Sequence, residues 1–167
     1  MRNSIVSWKY FLAAYEYNIN NNSFSSNGDA ALKLGEMHLH GIGVNQDLQK
    51  AYQYYIHAAK KNNLRAQLSL GKIYENGYSV TINFSTAYMW YRVAYNSHEC
   101  NIKPTKQELS NMTEDENLVY GFKKDTCNKI VNFINIISPD ISESERNKAT
   151  LLAKRCIASN FSRCENN

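Results

Sequence analysis

Two stretches of this chain repeat each other at an offset of 36 residues without any gap. Residues 30–59 align with residues 66–95, and nine of the pairs of identical residues carry the prediction. The pairs are Ala30/Ala66, Leu32/Leu68, Leu34/Leu70, Gly35/Gly71, Gly41/Gly77, Val44/Val80, Ala51/Ala87, Tyr55/Tyr91 and Ala58/Ala94. A fixed period in this range is typical of stacked helical hairpins, which bury their apolar faces against neighbouring hairpins. The repeat therefore predicts an all-α solenoid, a fold that commonly binds other proteins along one face.

Each repeat reads as two helices joined by a short loop. Gly35 and Gly71 fall inside the first helix, where glycine costs about 1 kcal/mol relative to alanine. Glycine at both positions therefore predicts a close helix contact that a Cβ atom would prevent. Gly41 and Gly77 follow the first helix, at the usual place of a left-handed C-cap. The second helix mixes small and aromatic residues that suit interlocking helices: Ala51, Tyr54, Tyr55 and Ala58, then Ala87, Trp90, Tyr91 and Ala94.

These residues resemble the Sel1-like repeat family, a relative of the tetratricopeptide repeats. The first copy reads Ala30, Leu34-Gly35, His38, Gly41-Ile42-Gly43-Val44, Asp47, Lys50-Ala51, Tyr54-Tyr55 and Ala58-Ala59; the second reads Ala66, Leu70-Gly71, Tyr74, Gly77, Val80, Ala87, Trp90-Tyr91 and Ala94. The chain departs from the family pattern with His38 for an aromatic residue, Ser79 for the second loop glycine and Asn83 for the acid. The resemblance implies a right-handed α-α solenoid and an adaptor or inhibitor role, often in bacterial envelopes.

The resemblance also implies where a partner binds. In tetratricopeptide-like arrays the first helix of each hairpin lines a concave groove. In the family register the groove positions are Leu32, Glu36, Leu39, His40, Arg65, Leu68, Lys72, Glu75 and Asn76. This mixture of aliphatic and charged side chains suits a protein or peptide ligand.

The flanking segments continue the helical pattern. Residues 3–17 align with the second helix of a hairpin, so either the first helix of that hairpin has been removed upstream or residues 3–17 form an irregular cap. Polar residues 18–26 are predicted as a loop. Residues 101–111, which contain Pro104, are predicted as an inserted loop, and this loop is the alternative binding surface because insertions into repeat arrays cluster on a binding face.

Two capping boxes mark helices in the C-terminal part. Thr113 with Glu116 predicts a helix over residues 113–137, and Ser142 with Glu145 predicts another. The apolar face of the first is predicted to contain Leu118, Phe122, Ile130, Phe133, Ile134 and Ile137; that of the second, Ala149, Leu152, Ala153 and Cys156. We expect about seven helices in total.

The 167 residues are long enough for one domain with its own core. We divide it into an N-terminal half-repeat with its loop (residues 1–29), repeat 1 (30–65), repeat 2 (66–100) and a divergent repeat with a C-terminal cap (101–167). A monomer is the expected oligomeric state.

Four cysteines, Cys100, Cys127, Cys156 and Cys164, lie in the C-terminal half. None forms a Cys-x-x-Cys pair, so no zinc site is expected. Cys156 and Cys164 stand eight residues apart near the end of the last helix, where a chain that folds back brings them within disulfide reach, and cysteine-rich members of the Sel1-like family show a similar Cys-x7-Cys spacing. Cys100 is then expected to pair with Cys127. The even count favours an oxidising compartment; the alternative is four free thiols in the cytosol.

A periplasmic location conflicts with the start of the chain. Residues 1–18 lack a continuous apolar leader core because Lys9 and Glu16 interrupt it. The periplasmic hypothesis therefore places the leader outside this sequence, and a cytoplasmic location is the alternative. No segment is long and apolar enough to cross a membrane.

Charge and side-chain chemistry exclude several function classes. The net charge of +4 is modest, and basic residues such as Lys60, Lys61 and Arg65 do not form the dense stripe of a nucleic-acid binder. Residues two apart on a helix point in nearly opposite directions, so His38 and His40 do not share a metal. No nucleophile, phosphate-binding or metalloprotease motif occurs. We expect neither catalysis, nor a cofactor, nor a metal.

The sequence therefore predicts a non-catalytic protein-binding module. The leading hypothesis is a periplasmic inhibitor, such as an immunity protein that neutralises a secreted bacterial toxin. The alternatives are an adaptor in envelope or cytosolic signalling or assembly, and a hydrolase or binder of cell-wall fragments.

Overall fold

A computed structural model describes residues 2–20, 28–101 and 104–164 of the chain. Over these residues it contains eight α-helices, one turn of 3-10 helix and no strand, which confirms the all-α prediction. The helices are α1 (Arg2–Asn20), α2 (Asp29–His40), α3 (Leu48–Lys60), α4 (Leu64–Asn76), α5 (Phe84–Ser97), α6 (Lys106–Asn111), α7 (Glu114–Ile137) and α8 (Glu143–Ala158), with the 3-10 turn at Ser138–Asp140.

Repeats 1 and 2 are the hairpins α2–α3 and α4–α5, which stack through the contact of α3 with α4. Both first helices end at a glycine in the left-handed region, Gly41 (φ 68°) and Gly77 (φ 73°). Both second helices begin at an N-cap side chain: Asp47 accepts from the backbone of Lys50, and Asn83 accepts from Thr86 at 2.9 Å. An amide at position 83 therefore performs the same capping role as the family's acid.

The loop of the second repeat also keeps the family conformation. Gly43 has a φ of 74°, and Ser79, which replaces the equivalent glycine, has a φ of 65°. The serine thus adopts a backbone conformation that L-residues seldom occupy. The two hairpins consequently have the same turn geometry despite this departure.

The helices of each hairpin approach closely at the mid-helix glycines, as predicted. A Cβ atom built on Gly35 would lie 2.8 Å from Cε1 of Tyr55, and one built on Gly71 would overlap the ring of Tyr91. Both tyrosines are fully buried. The glycines therefore provide the space in which a ring from the second helix packs against the backbone of the first.

His38 lies in the core, where the family has an aromatic residue. Its side chain is buried, and its ring stacks on Tyr54 with centroids 5.6 Å apart and an interplanar angle of 14°. Burial, and secondarily the charge of Lys50, lowers the pKa of the His38 imidazole below its usual value. Burial is likewise the main cause of the lowered pKa of His57 and of His98. All three imidazoles therefore favour the neutral state in the folded protein.

This burial predicts a pH dependence of stability. A base whose pKa is lower in the folded than in the unfolded chain stabilises the fold fully above the unfolded pKa, near 6.5, and progressively less as the pH falls below it. The urea midpoint should therefore be lower at about pH 5.5 than at about pH 7.5. The variant His38→Tyr introduces the residue found at the equivalent position 74 and should reduce this difference. An identical pH dependence in the variant would show that His38 does not contribute to it.

The N-terminal segment is helical. Residues 3–17 lie within α1, so the alternative of an irregular cap is wrong. Helix α1 packs on α2, and its Tyr15 meets Tyr54 of α3 edge-to-face at 5.3 Å. Residues 18–20, predicted as loop, belong to the helix, and the remainder of that loop prediction lies outside the described residues.

The predicted loop at residues 101–111 is partly wrong. Its last six residues form α6, which begins with a capping box between Thr105 and Glu108. None of the α6 residues is buried, so the segment lacks the apolar face from which a helix is predicted in a sequence. Helix α6 also accounts for the eighth helix, where we expected about seven.

Helices α7 and α8 both pack on α5 and complete the core. The capping boxes at Thr113 and Ser142 are present as predicted. Ile130, Ile134 and Ile137 of α7 are buried, but Leu118 and Phe122 are 59% and 66% exposed, which corrects the predicted apolar face. The first turns of α7 lie beside the end of α5 and extend beyond the core, which only the last turns of α7 cover.

Both expected cysteine pairs lie at disulfide distance. The Cα atoms of Cys100 and Cys127 are 5.4 Å apart, and those of Cys156 and Cys164 are 4.4 Å apart. The first pair joins the segment after α5 to the middle of α7. The second pair joins the end of α8 to the chain that folds back beyond it, as the eight-residue spacing predicted.

Candidate protein-binding face

Helices α2 and α4 share an accessible face that follows the 36-residue period. Four pairs of repeat-equivalent positions on these helices carry polar residues that are exposed or half-buried. They are Asp29/Arg65, Lys33/Ser69, Glu36/Lys72 and His40/Asn76. We call these eight residues the first-helix face. Spacings of three and four residues place each set along one side of its helix.

An ion-pair network crosses the first-helix face between the two repeats. Glu36 of α2 accepts from Lys33 at 2.8 Å in its own helix and from Arg65 of α4 at 2.7 Å. Such accessible pairs contribute about 1 kcal/mol or less to stability. Their main effect here is to hold three charged side chains in fixed positions at the junction of the repeats.

A second set of contacts joins α4 to α7. Nζ of Lys72 lies 5.1 Å from the ring centroid of Phe133, and this ring stacks on Tyr91 at 5.2 Å. The hydroxyl of Tyr91 donates to Glu75 at 2.7 Å. Burial, followed by this bond to the carboxylate, raises the pKa of Tyr91 far above its usual value. The Tyr91 hydroxyl therefore remains protonated and donating throughout the physiological range.

Helix α7 extends the first-helix face with apolar surface. Lys129, Phe133 and Ile136 stand at i, i+4 and i+7, on the side of α7 that carries Phe133 toward Lys72. Lys129 and Ile136 are exposed, Ile136 to 62%. A partner that covers the charged first-helix face would thus also meet an exposed aliphatic side chain at the adjoining helix.

The structure separates the predicted groove residues into four groups. His40, Arg65, Lys72 and Asn76 are exposed, and Leu39 and Leu68 are half-buried. Glu36 and Glu75 are half-buried and bonded to other side chains. Leu32 is 3% exposed and belongs to the core, so it is unable to contact a partner. The accessible positions that sequence reasoning missed are Asp29, Lys33, Ser69, Lys129 and Ile136.

A separate cavity of about 530 Å³ opens between α3, α4, α5 and α8. The hydroxyls of Tyr52 and Tyr74 lie 2.9 Å apart on its wall, and Glu145 and Lys148 border it from α8.

The described residues hold no group of three or more His, Cys, Asp or Glu side chains that could bind a metal ion. Among the described helices, none is both long and apolar enough to span a membrane.

Two helical hairpins stacked in register, with flanking helices at both ends, define an α-solenoid. The family model of the Sel1 repeat matches residues 28–63 and 64–97, the two hairpins described above. The chain contains two Sel1-like repeats. Repeats of this family indicate a protein-interaction module and are in general non-catalytic scaffolds.

A structural comparison agrees with the all-helical solenoid fold. The fold is similar to the crystal structure of c5321, a protective antigen present in uropathogenic Escherichia coli strains displaying an SLR fold, with a TM-score of 0.57 and 24% sequence identity. The match covers 81% of this chain and 24% of that one, so the chain spans about a quarter of its length. No curated protein matched the chain.

Proposed function

We propose that the protein binds another protein stoichiometrically through the first-helix face and the adjoining side of α7. The observation that carries the proposal is the row of accessible polar residues that recurs at the repeat period while the core residues around it are buried. The Glu36–Arg65 bridge fixes charges at the centre of this row. Fixed charges beside exposed Ile136 provide the polar and apolar contacts that protein interfaces combine.

We further propose that the partner is a secreted protein that this chain neutralises in the periplasm, as an immunity protein neutralises a toxin. The two cysteine pairs at disulfide distance favour an oxidising compartment. An envelope or cytosolic adaptor is the alternative. The two roles differ in outcome: an inhibitor abolishes its partner's activity at an equimolar ratio, whereas an adaptor leaves that activity intact.

Charge reversal on the first-helix face should weaken partner binding. Arg65 and Lys72 are exposed, so Arg65→Glu combined with Lys72→Glu should raise the Kd by at least about tenfold, as loss of fixed interfacial charges does. Arg65→Glu also removes the pair with Glu36, but this accessible pair contributes about 1 kcal/mol or less. Glu36 and Glu75 are less suitable, because both are half-buried and Glu75 accepts the hydrogen bond of buried Tyr91. Titration calorimetry against a partner isolated by affinity capture measures the effect.

The matched control is Lys154→Glu on α8, an exposed lysine outside the proposed face. It should change neither the Kd nor the melting temperature, since exposed substitutions seldom alter stability by more than about 0.5 kcal/mol. If the partner binds the double variant but not Lys154→Glu, the binding surface lies on the C-terminal helices. Equal binding by all three proteins would also contradict the proposed face.

A further inference from the structure

Helix α1 carries an exposed strip from Val6 to Tyr17. Val6, Tyr10 and Tyr17 are 66%, 69% and 64% exposed, and Ala13 between them is also exposed. The spacings of four, three and four residues are those of a coiled-coil seam. The opposite side of α1 faces the protein, where Tyr15 contacts the rings of Tyr54 and His57. The strip therefore points away from the repeats.

The strip is complementary to itself when two copies run antiparallel. With a two-fold axis between residues 11 and 12, Val6 of one copy lies opposite Tyr17 of the other. Tyr10 then lies opposite Ala13, so that a large ring meets a small side chain. The same axis produces all four interchain pairs of the strip, because the two residues of each pair lie at equal distances from the axis. Such an isologous contact is the usual geometry of a homodimer.

The charges beside the strip favour the same arrangement. Lys9 and Glu16 are exposed seven residues apart, and so lie on the same flank of the strip. The two-fold axis brings Lys9 of each copy beside Glu16 of the other, which gives two interchain ion pairs. A parallel arrangement would instead place Lys9 beside Ala14 of the other copy, so the ion pairs between Lys9 and Glu16 would not form. The charge pattern thus selects the antiparallel orientation.

We propose that the protein self-associates through antiparallel packing of α1 against α1 of a second copy, in place of the monomer that the sequence favoured. A helix of 19 residues is about 28 Å long, so the contact buries on the order of 1,000 Å² in total. This is the lower limit for specific complexes and corresponds to a weak dimer. The inference does not depend on the proposed function, since the strip and the first-helix face are separate surfaces.

Sedimentation of the full chain tests the inference without any added ligand. The wild type should change from a 19.2 kDa monomer to a dimer as the concentration rises through the micromolar range. Lys9→Glu and Glu16→Lys should each raise the dimer Kd by about tenfold, because each places like charges in contact. An equimolar mixture of the two variants should recover the dimer as a heterodimer, since every flanking pair is again opposite in charge.

The matched control is Lys154→Glu, which reverses an exposed charge on α8 and should leave the dimer unchanged. A wild type that stays monomeric to about 1 mM would overturn the inference, because that limit is far above the Kd of a specific interface. Loss of the dimer in the control but not in the α1 variants would also overturn it. Failure of the mixed variants to associate would exclude the antiparallel arrangement and, with it, the inference.

Discussion

Replacing Gly71 with alanine is expected to lower the free energy of unfolding by about 2–3 kcal/mol, even though alanine is the better helix former. The added Cβ would overlap the ring of Tyr91, which is buried and lies between Gly71 and the ring of Phe133. The ring is fully buried and its hydroxyl is bonded to Glu75, so we expect relief of the overlap to require α4 and α5 to separate. Gly35→Ala should act in the same direction, because its Cβ would lie 2.8 Å from Tyr55.

Gly121 provides the matched control within the same chain. It also lies inside a helix, α7, but a Cβ built there meets no heavy atom within 4 Å. Gly121→Ala should therefore raise the free energy of unfolding by about 0.5–1 kcal/mol through helix propensity alone. Urea denaturation followed by circular dichroism measures both variants. If Gly71→Ala stabilised the protein as Gly121→Ala does, the close packing of α4 on α5 would be disproved.

The repeat hairpins could be predicted from the sequence because each local signal agrees with the tertiary contact. The glycines at positions 35 and 71 predict close approach, and the aromatic residues opposite them fill the space. Position 79 shows why the predicted hairpin turn forms although the residue differs from the family pattern. The turn is fixed by the C-cap before it and the N-cap after it, so Ser79 adopts the left-handed conformation that glycine adopts in repeat 1.

The C-terminal part was less predictable because periodicity reports a helix face but not its neighbour. Phe122 and Ile130 belong to one apolar pattern, yet only Ile130 reaches the core, since α5 ends at Ser97. Helix α6 has no apolar side to detect. Its only signal is the pair Thr105 and Glu108, the same capping box that correctly located α7 and α8.

The candidate site shows the limit of reasoning from a family register. The register placed His40, Arg65, Lys72 and Asn76 on accessible surface, but it gave no information on which side chains are held by others. Lys72 contacts Phe133 from α7, a helix that lies outside the repeat period. The accessible pair Lys33/Ser69 could have been found by applying the 36-residue offset to polar positions as well as to apolar ones.

Removing the Cys100–Cys127 bridge is expected to have the other large effect. The two residues are 27 apart in sequence, and a loop of this length corresponds to about 3–4 kcal/mol of stabilisation through the reduced entropy of the unfolded chain. The double variant Cys100→Ser/Cys127→Ser should lose that amount in urea denaturation. The shorter loop closed by Cys156 and Cys164, 8 apart, should contribute about 2–3 kcal/mol.

The bridge should also have a local effect that distinguishes it from the second one. Apart from Cys127, the N-terminal half of α7 is joined to the end of α5 by the exposed ion pair of Lys123 with Glu99, at 2.9 Å. Without the bridge, amide hydrogen exchange should accelerate in residues 106–126 and remain slow in α4 and the C-terminal half of α7. The control Lys123→Ala removes only the ion pair and should cost about 1 kcal/mol or less.

Mass spectrometry of unreduced protein should find no free thiol, and four alkylatable cysteines in periplasmic material would disprove both bridges.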